Sequence, residues 1–100
     1  MPFSVFIEPA AINDIQSGID YYDNQQIGLG EKFESTVFDQ ITSLELNPFY
    51  QIRYDDVRCL PIKSYPYMLH FTVDENQQNV IIRAVLHTSL DPQKWLDRNK

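Results

Sequence analysis

The spacing of apolar residues changes once along this chain, near Pro48, and that change does most to limit its fold. Before it, Ile12, Ile15, Ile19 and Tyr22 recur every three or four residues, as do Phe33, Val37, Ile41 and Leu44. Such spacing lays one apolar stripe along each of two helices. After it, apolar residues alternate with others in three short runs, Val57–Ile62, Tyr67–Val73 and Val80–His87. Alternation places successive side chains on opposite sides of a strand. Two helices followed by three closely linked strands predict an α+β chain in which the helices cover one face of an antiparallel sheet.

Local signals fill in the connections. "FSVFI" (Phe3–Ile7) reads as a strand that runs into Pro9, a residue suited to the first turn of a helix. Gly28 and Gly30 in "QQIGLGEKF" allow a left-handed residue and a reversal between the helices, and Phe38 widens the second stripe. The second helix ends before Pro48, since a residue preceding proline avoids the α region. "ELNPFYQIRY" then reads as a crossing loop, and "KSYP" and "DENQQN" as the turns of a meander. The tail "DPQKWLDRNK" reads as one helical turn with Trp95 packed back on the body. One hundred residues make a single domain, 1–100.

Strand faces decide where chemistry can sit. Strict alternation turns Val80, Ile82, Ala84 and Leu86 inward, with Tyr67, Leu69, Phe71 and Val73, and leaves Ile81, Arg83, Val85 and His87 outward with Met68, His70 and Thr72. The expectation is that Leu69, Phe71, Ile82 and Leu86 lie beneath the helices, against Ile15, Ile19, Phe33, Val37 and Ile41. An open face or groove then carries Arg83 and His87.

Composition excludes several classes. A formal charge of -6 gives the molecule no long-range attraction for nucleic acid, so any such binding needs a local patch. The single Cys59 forms no internal disulfide, which suits a reducing compartment, and cytoplasm is the expected location. The amino terminus does not read as a signal peptide, and "NVIIRAVL" is broken by Arg83 and too short to cross a bilayer. His70 and His87 have no metal-ligand spacing, and no glycine loop suits a phosphate, so neither metal nor cofactor is expected.

The segments "IEPAAINDIQSGIDYY", "GLGEKFESTV", "LNP", "VRCLPIKSYPYMLHFTVDE" and "VIIRAVLHTSLDPQKW", in this order, resemble the RelE/ParE superfamily, the toxin half of bacterial type II toxin–antitoxin pairs. The resemblance implies a helical hairpin packed on a twisted antiparallel sheet. It also implies a cognate antitoxin that wraps the toxin in a hetero-oligomer, and a target that is DNA gyrase in some members and the messenger-bearing ribosome in others. "YPYMLHF" and "HTSLDPQKW" are more similar to the ParE and plasmid-stabilisation branch.

A ribonuclease of this kind needs cations at the scissile phosphate and groups that move protons. Arg58, Arg83 and His87 are the candidate catalytic residues, with Lys63 and Tyr67 as substrate-binding residues. Each also has a plainer reading: Arg58 paired with Asp55 or Asp56, Lys63 solvated at a strand end, Arg83 bonded to a carboxylate, His87 structural, Tyr65 and Tyr67 covering a turn. The family pattern His, any residue, Arg, Arg, Asp, Pro reads here His87, Thr88, Ser89, Leu90, Asp91, Pro92. With both arginine positions uncharged, the pattern argues against RNA cleavage, because phosphate contacts supply most nucleic-acid affinity, and favours a ParE-like growth inhibitor or a non-toxic relative that keeps only antitoxin binding over a ribosome-dependent ribonuclease. Phe49, Tyr50, Tyr54 and Tyr65 fall in loops, so an apolar patch is expected, and the acidic chain is expected to take a basic amphipathic partner segment.

Overall fold

The computed structural model describes residues 2–90. In chain order these form β1 (Ser4–Ile7), α1 (Pro9–Gln25), α2 (Leu29–Ser43), β2 (Ile52–Tyr54), β3 (Val57–Pro61), β4 (Tyr67–Asp74) and β5 (Asn79–His87). The helical turn expected at 91–100, with Trp95, lies outside the described residues. The rest of the expected α+β arrangement, a strand and a helical hairpin on one face of a sheet, is present.

Pro9 opens α1, where its missing N–H costs no helical bond. The line that α1 turns inward is Ala11, Ile15 and Gly18, with Ile19 and Tyr22 half-buried behind it. Ile12, read as part of that stripe, is 53% exposed. Small residues take the inner line because the helix lies close to its neighbours. A β-carbon on Gly18 would stand 2.5 Å from the Phe33 ring. The helices reverse through Gly28, whose φ of +96° is open to glycine and strained for other residues. Asp23 then secures the reversal by accepting the Gly30 N–H at 2.9 Å. On α2, Phe33, Val37, Ile41 and Leu44 are all buried as the spacing predicts, while Phe38 stays partly exposed.

The five strands form one open sheet in the order β1-β5-β4-β3-β2. The meander β3-β4-β5 is antiparallel, but β1 joins the free edge of β5 in parallel, Ser4 beside Asn79 through Ile7 beside Ile82. The sheet is therefore mixed. β1 takes this direction because it must deliver Pro9 to the start of a helix that crosses the same face. β2 lies inside the stretch read as a crossing loop and pairs with β3, Ile52 opposite Arg58.

One irregularity re-aims half of β5. His70 pairs with Ala84 while Phe71 pairs with Ile82, so Arg83 is an extra residue opposite a continuous β4. Such a bulge reverses the alternation beyond it. Val80 and Ile82 face the helices as expected, but past the bulge it is Val85, opposite Leu69, that joins the core, 2% exposed. Ala84 and Leu86 turn instead to the face of His70 and Met68, their partners in register. The expectation that Leu86 lies beneath the helices, and that Arg83 shares a face with His87, fails for this reason.

The core on the helix side is Phe3, Ala11, Ile15, Phe33, Val37, Ile41, Leu44, Ile62, Leu69, Phe71, Val80, Ile82 and Val85. Burial of each large member contributes about 1.5–3 kcal/mol. At one end Phe33 is ringed by Tyr22, Tyr65 and Tyr67 with centroids 5.1–5.2 Å apart. Tyr50 stands edge-on to Phe71, and Tyr54 leans on His70. Of the four loop aromatics expected at the surface, only Phe49 remains half-exposed.

Candidate functional site

The candidate residues divide between the two faces of the sheet. Arg58 lies opposite Phe71 in register, on the helix side. Its Nη1 donates to the Tyr50 carbonyl at 2.8 Å and its guanidinium sits 5.5 Å from the Phe49 ring centroid. It ties down the 48–50 turn, and does not make the carboxylate pair considered for it.

Arg83, the bulge residue, sits on the other face. Its Nε donates to Thr72 Oγ1 at 3.2 Å and its Nη1 forms an ion pair with Glu8 at the head of α1. Both side chains are about one third exposed, so the pair is screened and contributes little stability. It does occupy the cation. Arg83 also borders a cleft of about 500 Å3 lined by Asp56, Thr72, Asp74, Glu75 and Ile81. Three carboxylates at the rim make that cleft hostile to phosphate.

His87 ends β5 opposite Tyr67, with ring centroids 5.2 Å apart. Its Nδ1 accepts the Ser89 N–H at 3.1 Å, and Ser89 Oγ stands 2.7 Å away. An acceptor Nδ1 leaves the proton on Nε2, so the lone pair that a general base needs is already taken. Tyr67 packs on Phe33, and burial, with Tyr21 adding to it, raises its phenol above the ordinary value. It therefore stays protonated. Lys63 is exposed in the β3–β4 turn, where its backbone N–H donates to the Gln40 side chain, which also donates to the Pro61 carbonyl at 2.8 Å.

His87 and Tyr67 are thus brought together, whereas Arg58 and Arg83 are kept on opposite sides of the sheet and Lys63 lies in a turn. The face away from the helices carries Cys59, Met68, His70, Ala84 and Leu86, all buried. Tyr54 Oη lies 2.9 Å from His70 Nδ1, and Cys59 Sγ lies 3.5 Å from the same nitrogen. Burial pushes the Cys59 thiol up to about 11, so it is a thiol and not a nucleophile near neutrality. Arg53, not singled out from the sequence, places its charge near that thiol from β2. Reading residues 45–54 as loop hid it; the alternating "IRY" was the available signal. Among the described residues there is no group of three His, Cys, Asp or Glu placed to hold a metal, and no helix long and apolar enough to cross a membrane.

The sequence model of the family described as "ParE toxin of type II toxin-antitoxin system, parDE" matches residues 5–92. Among solved structures, the fold is similar to a chain of the chromosomal ParDE toxin–antitoxin system of P. aeruginosa, with TM-score 0.78 and 16% identity over 87% of this chain and 97% of that one. It is similar also to a chain of the RelBE2 toxin–antitoxin complex of Mycobacterium tuberculosis, with TM-score 0.64 and 17% identity over 87% and 92%. The isolated E. coli RelE toxin matches with TM-score 0.52 and 12% identity over 98% and 99%. A comparison with curated proteins finds no match.

Proposed function

This chain belongs to the ParE toxin family and is a toxin of the type II toxin–antitoxin class, and on that premise we propose that it acts by binding its target and does not cleave RNA. The observation that carries the proposal is the bulge at Arg83. The register places Arg58 on the helix side and Arg83 on the other face, and the bulge turns His87 away from Arg83, so no two of the candidate cations converge where one phosphate could sit and the histidine joins neither arginine's partner set. Arg83 is further occupied by Glu8, and His87 offers no free base. Electrostatic stabilisation of a phosphoryl transition state needs donors aimed at one point, and this site does not supply them.

The antitoxin is the neutralising partner in this reading, which the toxin–antitoxin complexes among the similar structures support. The resemblance points to DNA gyrase as the target and to the cytoplasm as the place of action. Purified chain tested against gyrase supercoiling and against programmed ribosomes decides the matter. Inhibited supercoiling with intact messenger is expected. Codon-linked cuts by the unmutated protein, lost in Arg83→Ala or His87→Ala at unchanged melting temperature, overturn the reading in favour of a ribonuclease.

A further inference from the structure

The face of the sheet turned away from the helices is not uniform. Toward the end of β5 it is closed by buried side chains, from Cys59 and His70 to Leu86. At the start of β5 it is open. There Phe6 of β1, Ile81 of β5 and Thr72 of β4 follow one another in register across three strands. Phe6 is 54% exposed and Ile81 half-buried, so β1 and β5 present an apolar step to solvent.

Beside this step lies the cleft of about 500 Å3 that Arg83 borders, and Ile81 belongs to both. Asp56, from the β2–β3 turn, and Asp74 and Glu75, at the end of β4, stand around it. Asp74 Oδ1 accepts the N–H groups of Asn76 and Gln77 at 3.1 and 3.2 Å, which fixes that carboxylate at the rim. Arg83 is drawn aside by Glu8. The cleft thus keeps a net negative charge, with an apolar side at Ile81 that continues to Phe6. Among the described residues no three such groups are placed to hold a metal ion, so the cleft suits a larger cation. A guanidinium or ammonium on an aliphatic stem fits, because the stem can lie on Ile81 while the charge meets the carboxylates.

We infer that this face docks the toxin's target through a protein segment in which an arginine or lysine stands beside a large apolar side chain, the cation entering the cleft and the apolar group covering Phe6. The inference rests on the proposal that the chain acts by binding, and adds the surface used and the chemistry of the segment bound. An aromatic anchor beside a pocket carries much of an interface's affinity, and complementary charge around it sets register and speeds encounter. Charge complementarity selects this occupant. The carboxylates repel nucleic acid, and a second copy of this chain, itself at -6, opposes charge to like charge. A free polyamine would leave Phe6 uncovered.

The test measures the affinity of the full chain for purified DNA gyrase at 50 and 300 mM salt. Phe6→Ser combined with Asp56→Lys and Glu75→Lys, none of them buried, should weaken binding at low salt at least tenfold and flatten its salt dependence. Glu31→Lys with Glu34→Lys, the same charge change placed on α2, should alter it less than twofold. Circular dichroism and melting confirm that both variants fold. A misfolded sheet variant is replaced by hydrogen exchange on the unmodified complex, in which amides of residues 72–83 should gain protection. Binding unaffected by the sheet variant, or protection confined to the helices, overturns the docking face while leaving the target reading in place. Affinity lost for the product of the adjacent reading frame but kept for gyrase gives the face to the antitoxin and overturns the inference likewise. No binding of gyrase by the unmodified chain overturns both.

Discussion

The carboxylate of Asp14, on α1, accepts the backbone N–H of Val85, on β5, at 3.0 Å. β1 ends at Ile7, beside Ile82, so past that point β5 has no strand neighbour on this side. One helical side chain takes the place that a longer β1 would fill. The bond lies just beyond the Arg83 bulge and holds the re-aimed half of β5 against the helix.

Replacing that carboxylate removes the acceptor and leaves a partly buried N–H. Asp14→Ala should lower stability by about 1–3 kcal/mol, and Asp14→Asn, which keeps an oxygen, by less. Urea unfolding of the two variants beside the parent measures both. Equal stability of Asp14→Ala and the parent would show that water serves Val85 as well.

Ile82 and Val85 test the two halves of β5, before and beyond the bulge. Ile82, fully buried on the helix face, should cost about 2–5 kcal/mol as Ile82→Ala. Val85→Ala should also destabilise the helix-side core, whereas strict alternation would leave Val85 outside it. A double-mutant cycle of Val85→Ala with Leu69→Ala, its partner in register, should show coupling of about 0.5 kcal/mol or more. Strictly additive losses would place Val85 on the other face.

The hairpin has two sensitive glycines of different kinds. Gly28→Ala meets no neighbouring atom and suffers only from its positive φ, so a loss of about 1 kcal/mol is expected. Gly18→Ala pushes a methyl into the Phe33 ring and should cost about 1–3 kcal/mol by overpacking. Thermal melts of the two variants separate the effects. Combining Gly18→Ala with Phe33→Leu should recover part of the second loss and none of the first.

Cys59 links stability to alkaline pH. Its folded pKa, pushed up to about 11 by burial, lies above the value of 9.0 for an unperturbed thiol. The folded state therefore holds the proton more tightly. Below pH 9 the contribution is constant. As pH rises from 9 toward 11 the unfolded thiol ionises first, and stability should fall by at most about 1.4 kcal/mol per pH unit. Denaturant titrations of the parent and Cys59→Ala across this window measure the difference. The thiol should also resist alkylation at pH 8 until urea is added.

Much of this architecture is legible in the residues. The helical stripes at Ile15 and Ile19 and at Phe33, Val37 and Ile41, the reversal at Gly28, and the three strands of the meander follow from period and turn chemistry alone. The misses share a cause. Ala11 and Gly18 line the inside of α1 because of what packs against them, and a hydrophobicity pattern gives such small residues no weight. β2 is three residues long, too short for alternation to stand out. The bulge is a property of the pairing of two strands, so nothing within β5 alone announces it. Because alternation was carried straight through Arg83, His87 was put on the wrong face, and with it half of the candidate site. The partners of Arg58 and Arg83, a carbonyl and Glu8, come from distant positions that no local pattern connects.

The central place of β5 bears on how the chain is made. That strand is flanked by β1 and β4 and crossed by α1, yet it is the last described element to be synthesised. At about 5–20 residues per second, β1 and α1 leave the ribosome seconds before the strand on which they rest. Until His87 has emerged, the hairpin has only an incomplete sheet beneath it, and β1 has no neighbour at all. Folding is thereby deferred to a late moment in translation, since parallel pairing of such distant segments must wait for both. A nascent chain therefore exposes its hairpin before the sheet that covers the hairpin's inner face is complete.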